Sequence, residues 1–283
     1  MNVSDVMTPR EEVVTVELPG SREDALEYLQ ERAFSSVPAI KYTDDGEVFR
    51  GIVSRKSLIE QPDEDQLALL ARDVPTTTAD ATIAAVADLM VSEGERRIPV
   101  VSGDELVGIV TVTDIVHAIA RGEANGDRLL ETVASREINA VFEGTPLPTA
   151  ERELSFAGVP YAVALDDHGE LAGILTEVDI LEVARVVEGE DATGDSIANE
   201  DDEWAWEGIK ATGNRYMPTR NVELPTGPVS EFMTEGVLTL SQRRTVRDAA
   251  QAMIEEDIEQ IPVLSGDELV GIVQDMDLLE ALR

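Results

Sequence analysis

The sequence predicts an α/β chain of the α+β type, built from four βαββα repeats paired into two modules. Three observations carry this. Residues 98–110 read IPVVSGDELVGIV and residues 261–273 read IPVLSGDELVGIV, twelve matches in thirteen at an offset of 163. Weaker copies run from Val37-Pro38-Ala39-Ile40 to Gly51-Ile52-Val53 and from Val159-Pro160-Tyr161-Ala162-Val163 to Gly173-Ile174-Leu175. The Pro-to-Gly spacings alternate 13, 9, 13, 9, as expected if a pair of repeats was duplicated.

In repeat one, taken as 1–60, Ser21 and Asp24 form a capping box ahead of Ala25, Leu26 and Leu29. Repeat two, 61–121, is the clearest. Ile83, Val86, Leu89 and Met90 make one face of a helix that Asp80 or Thr82 can cap. Ile98–Val101 and Leu106–Thr111 are strands about the turn Ser102-Gly103-Asp104, and Thr113 or Asp114 opens a helix over Ile115–Ala120. Repeat three, 122–186, is degenerate: Pro146 and Pro148 are expected to break its first helix. Repeat four, 229–283, predicts a helix over 245–256, a hairpin, and a second helix over Leu278–Leu282. One such unit cannot hide both faces of its sheet, so pairing is expected.

Spacing places an insert at 187–228. Residues 187–207 hold nine acids, no base, and Trp204 and Trp206, which reads as a solvated or disordered segment. The following stretch holds Lys210, Arg215 and Arg220. Its glycines permit close backbone approach to an anion. Either it is an ordered linker, or it folds over the second module's cleft with Arg215 meeting a phosphate.

The chain has 283 residues and a net charge of −36. That surface repels phosphate backbones and anionic bilayers, so no nucleic-acid or membrane partner is expected. There is no cysteine, which excludes disulfides and thiolate chemistry. No apolar run reaches a membrane span, and Met1–Asp5 shows no secretory start, so a cytoplasmic location is expected. The acid excess, with three lysines among 22 basic residues, resembles halophilic archaeal proteins. Molar salt shrinks the screening length to about 3 Å and makes crowded carboxylates tolerable. A melting temperature unchanged between about 0.1 M and about 2 M KCl, over which the screening length falls from about 10 Å to below about 3 Å, would count against that reading.

The apolar-Pro-Val strand, the turn, and Gly-Ile-Val-Thr-Val-Thr-Asp at 108–114 resemble a CBS domain. Val6-Met7-Thr8-Pro9 and Phe232-Met233-Thr234 are similar to the usual lead-in of that family. Four copies imply two Bateman modules and a regulatory role rather than an enzyme. The resemblance implies no required cofactor. It implies clefts for a small-molecule adenine ligand, an adenosine nucleotide (AMP, ADP or ATP) or S-adenosylmethionine, and an unknown regulated protein. It leaves open a homodimer through the modules.

The resemblance also assigns residues. A strand-end hydroxyl meets phosphate, and an Asp three residues later holds the ribose hydroxyls. Thr111 and Asp114 match, as do Thr176 and Asp179; Gln274 and Asp277 lose the hydroxyl, and Ser54 and Ser57 lose the acid. Backbone at Ile98, Val159 and Ile261 would meet the base. Arg96 and Arg97 precede one such strand: either an Arg fork, Arg97 first, grips phosphate, or the two are a solvated loop pair. A carboxylate accepting two bonds from a diol is sound chemistry. The same Thr and Asp also read as a plain N-cap, and the two roles are compatible. No Walker loop, GxGxxG, metal spacing about His117 or His168, or nucleophile–base pair is present. Two other readings stand beside the sensor: a protein-interaction scaffold with decayed clefts, and an enzyme using the insert.

Overall fold

A computed structural model of the chain describes residues 1–31, 36–44, 46–54, 57–58, 61, 64–188, 209–212, 215–218 and 220–283. They fall into two units: Met1–Ser135 with Leu240–Gly266 and Val270–Arg283, and Arg136–Thr239 with Asp267–Leu269.

The first unit opens with strands β1 (Thr8–Pro9) and β2 (Val16–Glu17), helix α1 (Arg22–Glu31), and the hairpin β3 (Ser36–Thr43) and β4 (Gly46–Ser54). Helices α2 (Leu67–Leu70) and α3 (Ile83–Glu93) follow, then hairpin β5 (Arg97–Ser102) and β6 (Glu105–Thr111), and helix α4 (Val112–Ala120). In α1 the expected box forms: Ser21 N and Oγ reach Asp24 Oδ2 at 2.8 and 3.1 Å. Helix α3 buries Ile83, Val86, Ala87 and Met90. Thr82 caps it, accepting from Ala85 N at 3.2 Å, while Asp80 takes the Thr78 hydroxyl instead. It ends at Gly94, whose φ of 67° is left-handed.

The second unit holds β7 (Ala140–Phe142), α5 (Leu147–Ala157), β8 (Tyr161–Leu165), β9 (Leu171–Thr176) and α6 (Glu177–Val183). Here the structure corrects the sequence reading. Pro146 is the N-cap and Pro148 lies in the first turn, where no amide donor is needed. The prolines therefore start an eleven-residue helix rather than break it. Strands β10 (Arg185–Glu188), β11 (Ile209–Thr212), β12 (Arg215–Pro218) and β13 (Arg220–Glu223) make two antiparallel pairs, β10 with β13 and β11 with β12. The acidic segment with Trp204 and Trp206 lies outside the described residues. Strand β14 (Thr234–Glu235) closes the unit.

The first unit then resumes with β15 (Leu240–Ser241), α7 (Val246–Glu256), β16 (Gln260–Ser265), β17 (Glu268–Gln274), α8 (Asp275–Leu278) and a 3-10 turn, Leu279–Leu282.

The recurring glycine of each hairpin receives a crossing strand. A Cβ on Gly108 would lie 2.6 Å from Thr8 O, on Gly51 2.6 Å from Arg72 O, on Gly173 2.6 Å from Thr234 O, and on Gly271 2.8 Å from Ser135 O. The registers agree: Thr8 lies opposite Ile109 and Thr234 opposite Ile174, and bridges join Ile52 to Arg72 and Ser135 to Ile272. Each repeat is thus finished by the segment leading into its partner. Repeats one and two exchange these segments, and so do repeats three and four.

Repeats two and four share one core. Ile98, Ile115, Ile119 and Met90 of repeat two and Val246, Ala249, Ile261 and Leu278 of repeat four are fully enclosed in it. Burying each large side chain stabilises by roughly 1.5–3 kcal/mol. Repeat one has a core around Val37, Val53 and Leu58, completed by Leu67 of the segment that follows, and repeat three has one around Leu147, Leu154 and Leu175.

Candidate functional site

Antiparallel register assembles the group in repeat two. Arg97 stands opposite Thr111 and Ile98 opposite Val110. Thr111, not Thr113 or Asp114, is the N-cap of α4, because it still has extended backbone (φ −119°, ψ 165°). Its Oγ1 accepts from Asp114 N at 3.3 Å, and its N and Oγ1 both donate to Asp114 Oδ2 at 2.8 Å. The capping role of both residues is therefore real. It leaves Asp114 Oδ1 without a donor among the described residues, on a half-buried side chain at the start of a nine-residue helix.

Arg97 lies alongside. Its Nη1 donates to Ser36 Oγ of repeat one at 3.0 Å. Burial, with the like charge of Arg96 beside it, pushes the guanidinium below its ordinary pKa, against an opposing pull from Glu95. Among the described residues no carboxylate pairs with it. In a chain with 58 acids that is conspicuous. Ser36 occupies the same place in repeat one, opposite Ser54. There Ser57 stands where the Asp would be. Its Oγ accepts from Ser54 N and its N donates to Ser54 Oγ, both at 3.0 Å, so the cap survives without charge.

Repeat four keeps a carboxylate. Asp277 Oδ2 accepts from Gln274 N at 2.8 Å. Burial holds this carboxyl above the usual range, with Asp275 and Glu280 adding to the rise and the Gln274 N–H opposing it. Ile261 is enclosed in β16.

In repeat three, Thr176 N and Oγ1 donate to Asp179 Oδ2 at 2.8 and 2.7 Å, and Thr234 Oγ1 approaches Oδ1 at 3.5 Å. The assignment of Val159 is corrected. Tyr161 stands opposite Thr176, as Arg97 stands opposite Thr111, so Ala162 holds the place of Ile98. Val159 falls before the strand, just after Gly158 ends α5. Pro160 was a misleading marker. Its carbonyl accepts from Glu177 N, which is the part Arg96 plays for Val112 N. The spacing of 13 in repeat three follows from that false match, whereas the long hairpin of repeat one is genuine. Arg215 opens β12 opposite Thr212, and its side chain lies outside what is described.

Sequence reasoning offers Arg96 only as a neighbour of Arg97 at a phosphate and misses its ion pair. It forks onto Asp275 of repeat four, Nη1–Oδ1 3.0 Å and Nη2–Oδ2 2.6 Å, and reaches Glu259 at 3.3 Å. The partners are 179 residues apart, and no local signal joins them. Two hollows, of about 440 and 450 Å³, open elsewhere: one by Thr113, His117 and Met253, the other by Glu151, Leu154 and Ile180. Neither is lined by Thr111, Asp114 or Arg97, so the site is defined by its polar groups rather than by cavity volume. Among the described residues no acid and histidine group could hold a metal, and no helix is long and apolar enough to cross a membrane.

A CBS domain model matches residues 3–64, 67–121, 130–185 and 229–283. The chain belongs to the CBS-domain family. The exchanged lead-in segments accordingly define two Bateman modules, repeats one with two and three with four. Among solved structures, an uncharacterized conserved protein from Pyrococcus horikoshii is 28% identical, with a TM-score of 0.70 over all of both chains. Protein MJ1225 from Methanocaldococcus jannaschii shares the fold at 16% identity, with a TM-score of 0.63 over all of both chains. Among curated relatives, the uncharacterized protein MJ1404 of the same organism is 24% identical over 279 residues, 98% of this chain and 61% of that one. MJ1225 is 25% identical over 187 residues, 60% of this chain and 66% of that one. The chain thus spans less than two thirds of the length of these curated relatives.

Proposed function

We propose that this CBS protein is a regulatory module whose first cleft, between repeats one and two, binds an adenosine nucleotide. The observation that carries the reading is Arg97: a half-buried cation with no acid partner among the described residues, in register with Thr111, whose cap partner Asp114 keeps Oδ1 open. Asp114 holds the ribose diol. The Thr111 hydroxyl turns from Asp114 to a phosphate oxygen, which frees Oδ2 for the second sugar hydroxyl. The first amides of α4 and the Arg97 fork complete the anion site. A cation at this point favours AMP, ADP or ATP over S-adenosylmethionine, which has no phosphate.

Binding draws Arg97 away from Ser36 and so favours one arrangement of repeats one and two over another. A partner protein or a second copy of the chain reads the change. Asp179 in repeat three and Asp277 in repeat four are secondary sites. The alternative is a scaffold with decayed clefts, favoured by the uncharged Ser57 and by Gln274.

Calorimetry at high salt with AMP, ATP, S-adenosylmethionine and adenosine decides. Asp114→Ala should weaken AMP about 10–100-fold, at 1.4 kcal/mol per decade. Arg97→Ala should weaken AMP and leave adenosine unchanged. No heat from any of the four ligands would leave the scaffold.

A further inference from the structure

Repeats two and four meet across a face whose shape has two-fold symmetry and whose charge does not. The offset of 163 identifies equivalent positions. In shape, the first helix of each repeat packs on the second helical element of the other: α7 on α4, and α3 on the Leu279–Leu282 turn. Gln251 Nε2 donates to the Ala120 carbonyl at 3.0 Å. Their counterparts, Asp88 and Arg283, meet in the matching place at 2.7 Å. In charge, one of these contacts is an ion pair and the other is neutral.

The larger asymmetry surrounds Arg96. Its counterpart in repeat four is Glu259, and the counterpart of Val112 is Asp275. Both repeats keep the same backbone bond here, Val112 N to Arg96 O and Asp275 N to Glu259 O, each 2.9 Å. The side chains are opposite in sign. Repeat two supplies a cation and a methyl surface; repeat four supplies two acids. The Asp275 side chain is 9% exposed, so its charge depends on the Arg96 fork.

We infer that this face is charge-coded to join repeat two to repeat four and to refuse a second copy of either. Two copies of repeat two would bring Arg96 to its own image, setting like charges together with no acid between them. Two copies of repeat four would bring Asp275 onto Glu259, leaving a buried carboxylate against another. Removing the partner of a buried charge is strongly destabilising, and like-charge apposition is how pairing specificity is enforced. A second chain can use this face only by reciprocal exchange, its repeat four on this repeat two and the reverse.

Transplanting the code in the full chain tests this. The four substitutions Arg96→Glu, Val112→Asp, Glu259→Arg and Asp275→Val exchange the charges between the repeats and keep the net charge. Each half-swap, Arg96→Glu with Val112→Asp or Glu259→Arg with Asp275→Val, should lower the melting temperature by about 10 °C, the scale of a broken buried pair. The complete swap should return to within about 3 °C of the native chain. Should a half-swap fail to fold, Arg96→Gln gives the milder loss, and the complete swap still reads the code. A complete swap that melts as low as the half-swaps, or half-swaps that melt like the native chain, would overturn the inference.

Discussion

Repeats two and four carry hairpins that match at twelve of thirteen positions and build them into the same strands, but they differ on either side of that hairpin. Repeat two leads in with Arg96 and Arg97 and leaves with Thr111 and Val112; repeat four has Glu259 and Gln260, then Gln274 and Asp275. The shared stretch is what the sheet and the crossing strand require: enclosed Ile98 and Ile261, and glycines at 108 and 271 under another segment's carbonyl. The flanks are free of that demand. They carry the charged Thr111–Asp114 cap in one copy and the two ends of the Arg96–Asp275 fork.

The comparison is tested hardest at the glycines. Gly108→Ala sets a Cβ 2.6 Å from a backbone oxygen and 2.9 Å from Met7 Sδ, whereas Gly271→Ala meets its nearest backbone oxygen at 2.8 Å. Urea unfolding should show Gly108→Ala costing about 3 kcal/mol, toward the upper end for overpacking, and Gly271→Ala less. Equal costs would mean that the lead-in strands sit equally tightly on both repeats.

A smaller effect of opposite sign comes from the helix ends. Repeat two ends α3 with Gly94 at φ 67°, while repeat four ends α7 with Asp257 at φ 54°. Asp257→Gly should stabilise by about 1 kcal/mol by removing the left-handed penalty of a side chain.

The smallest effect is a pH dependence that a buried carboxyl of repeat four contributes. The Asp277 carboxyl is held above the ordinary range by burial. The native state therefore prefers its proton, and the stability this group contributes is present at acid pH and lost as pH rises through the raised value. Asp277→Asn should melt above the native chain at neutral pH, with the gap closing on acidification through the ordinary carboxylate range. A gap that does not change with pH would remove burial as the cause.

Much of this was legible in the residues. Two hairpins, the helix faces and the caps at Ser21 and Thr82 follow from periodicity and short-range bonding, which local sequence encodes. Periodicity starts helix α4 at Ile115, one turn late, because Thr111 caps from the end of a strand and reads as strand. Repeat three misled through its prolines. Pro160 imitates a marker three residues out of register, and Pro146 with Pro148 imitates a breaker while opening a helix. What the sequence could not show was contact at a distance. Thr8 on Gly108, Ser135 on Gly271 and Arg96 on Asp275 join positions far apart in the chain. Only the recurrence of Met before Thr at 7–8 and 233–234, with a glycine in each hairpin, hinted that something had to lie over those glycines.

The crossed segments constrain the order in which a nascent chain can fold. The sheet of repeat two is finished by Thr8, already outside the ribosome when Ile109 is made. The sheet of repeat three waits for Thr234, and Ser135 waits for Ile272. For the length of the acidic insert, translation leaves unpaired strand edges in the growing polypeptide. Such non-local closures are slow, and open edges invite aggregation. Thus synthesis of the second half, whose equivalent closures span the longer stretches of chain, carries the greater misassembly hazard.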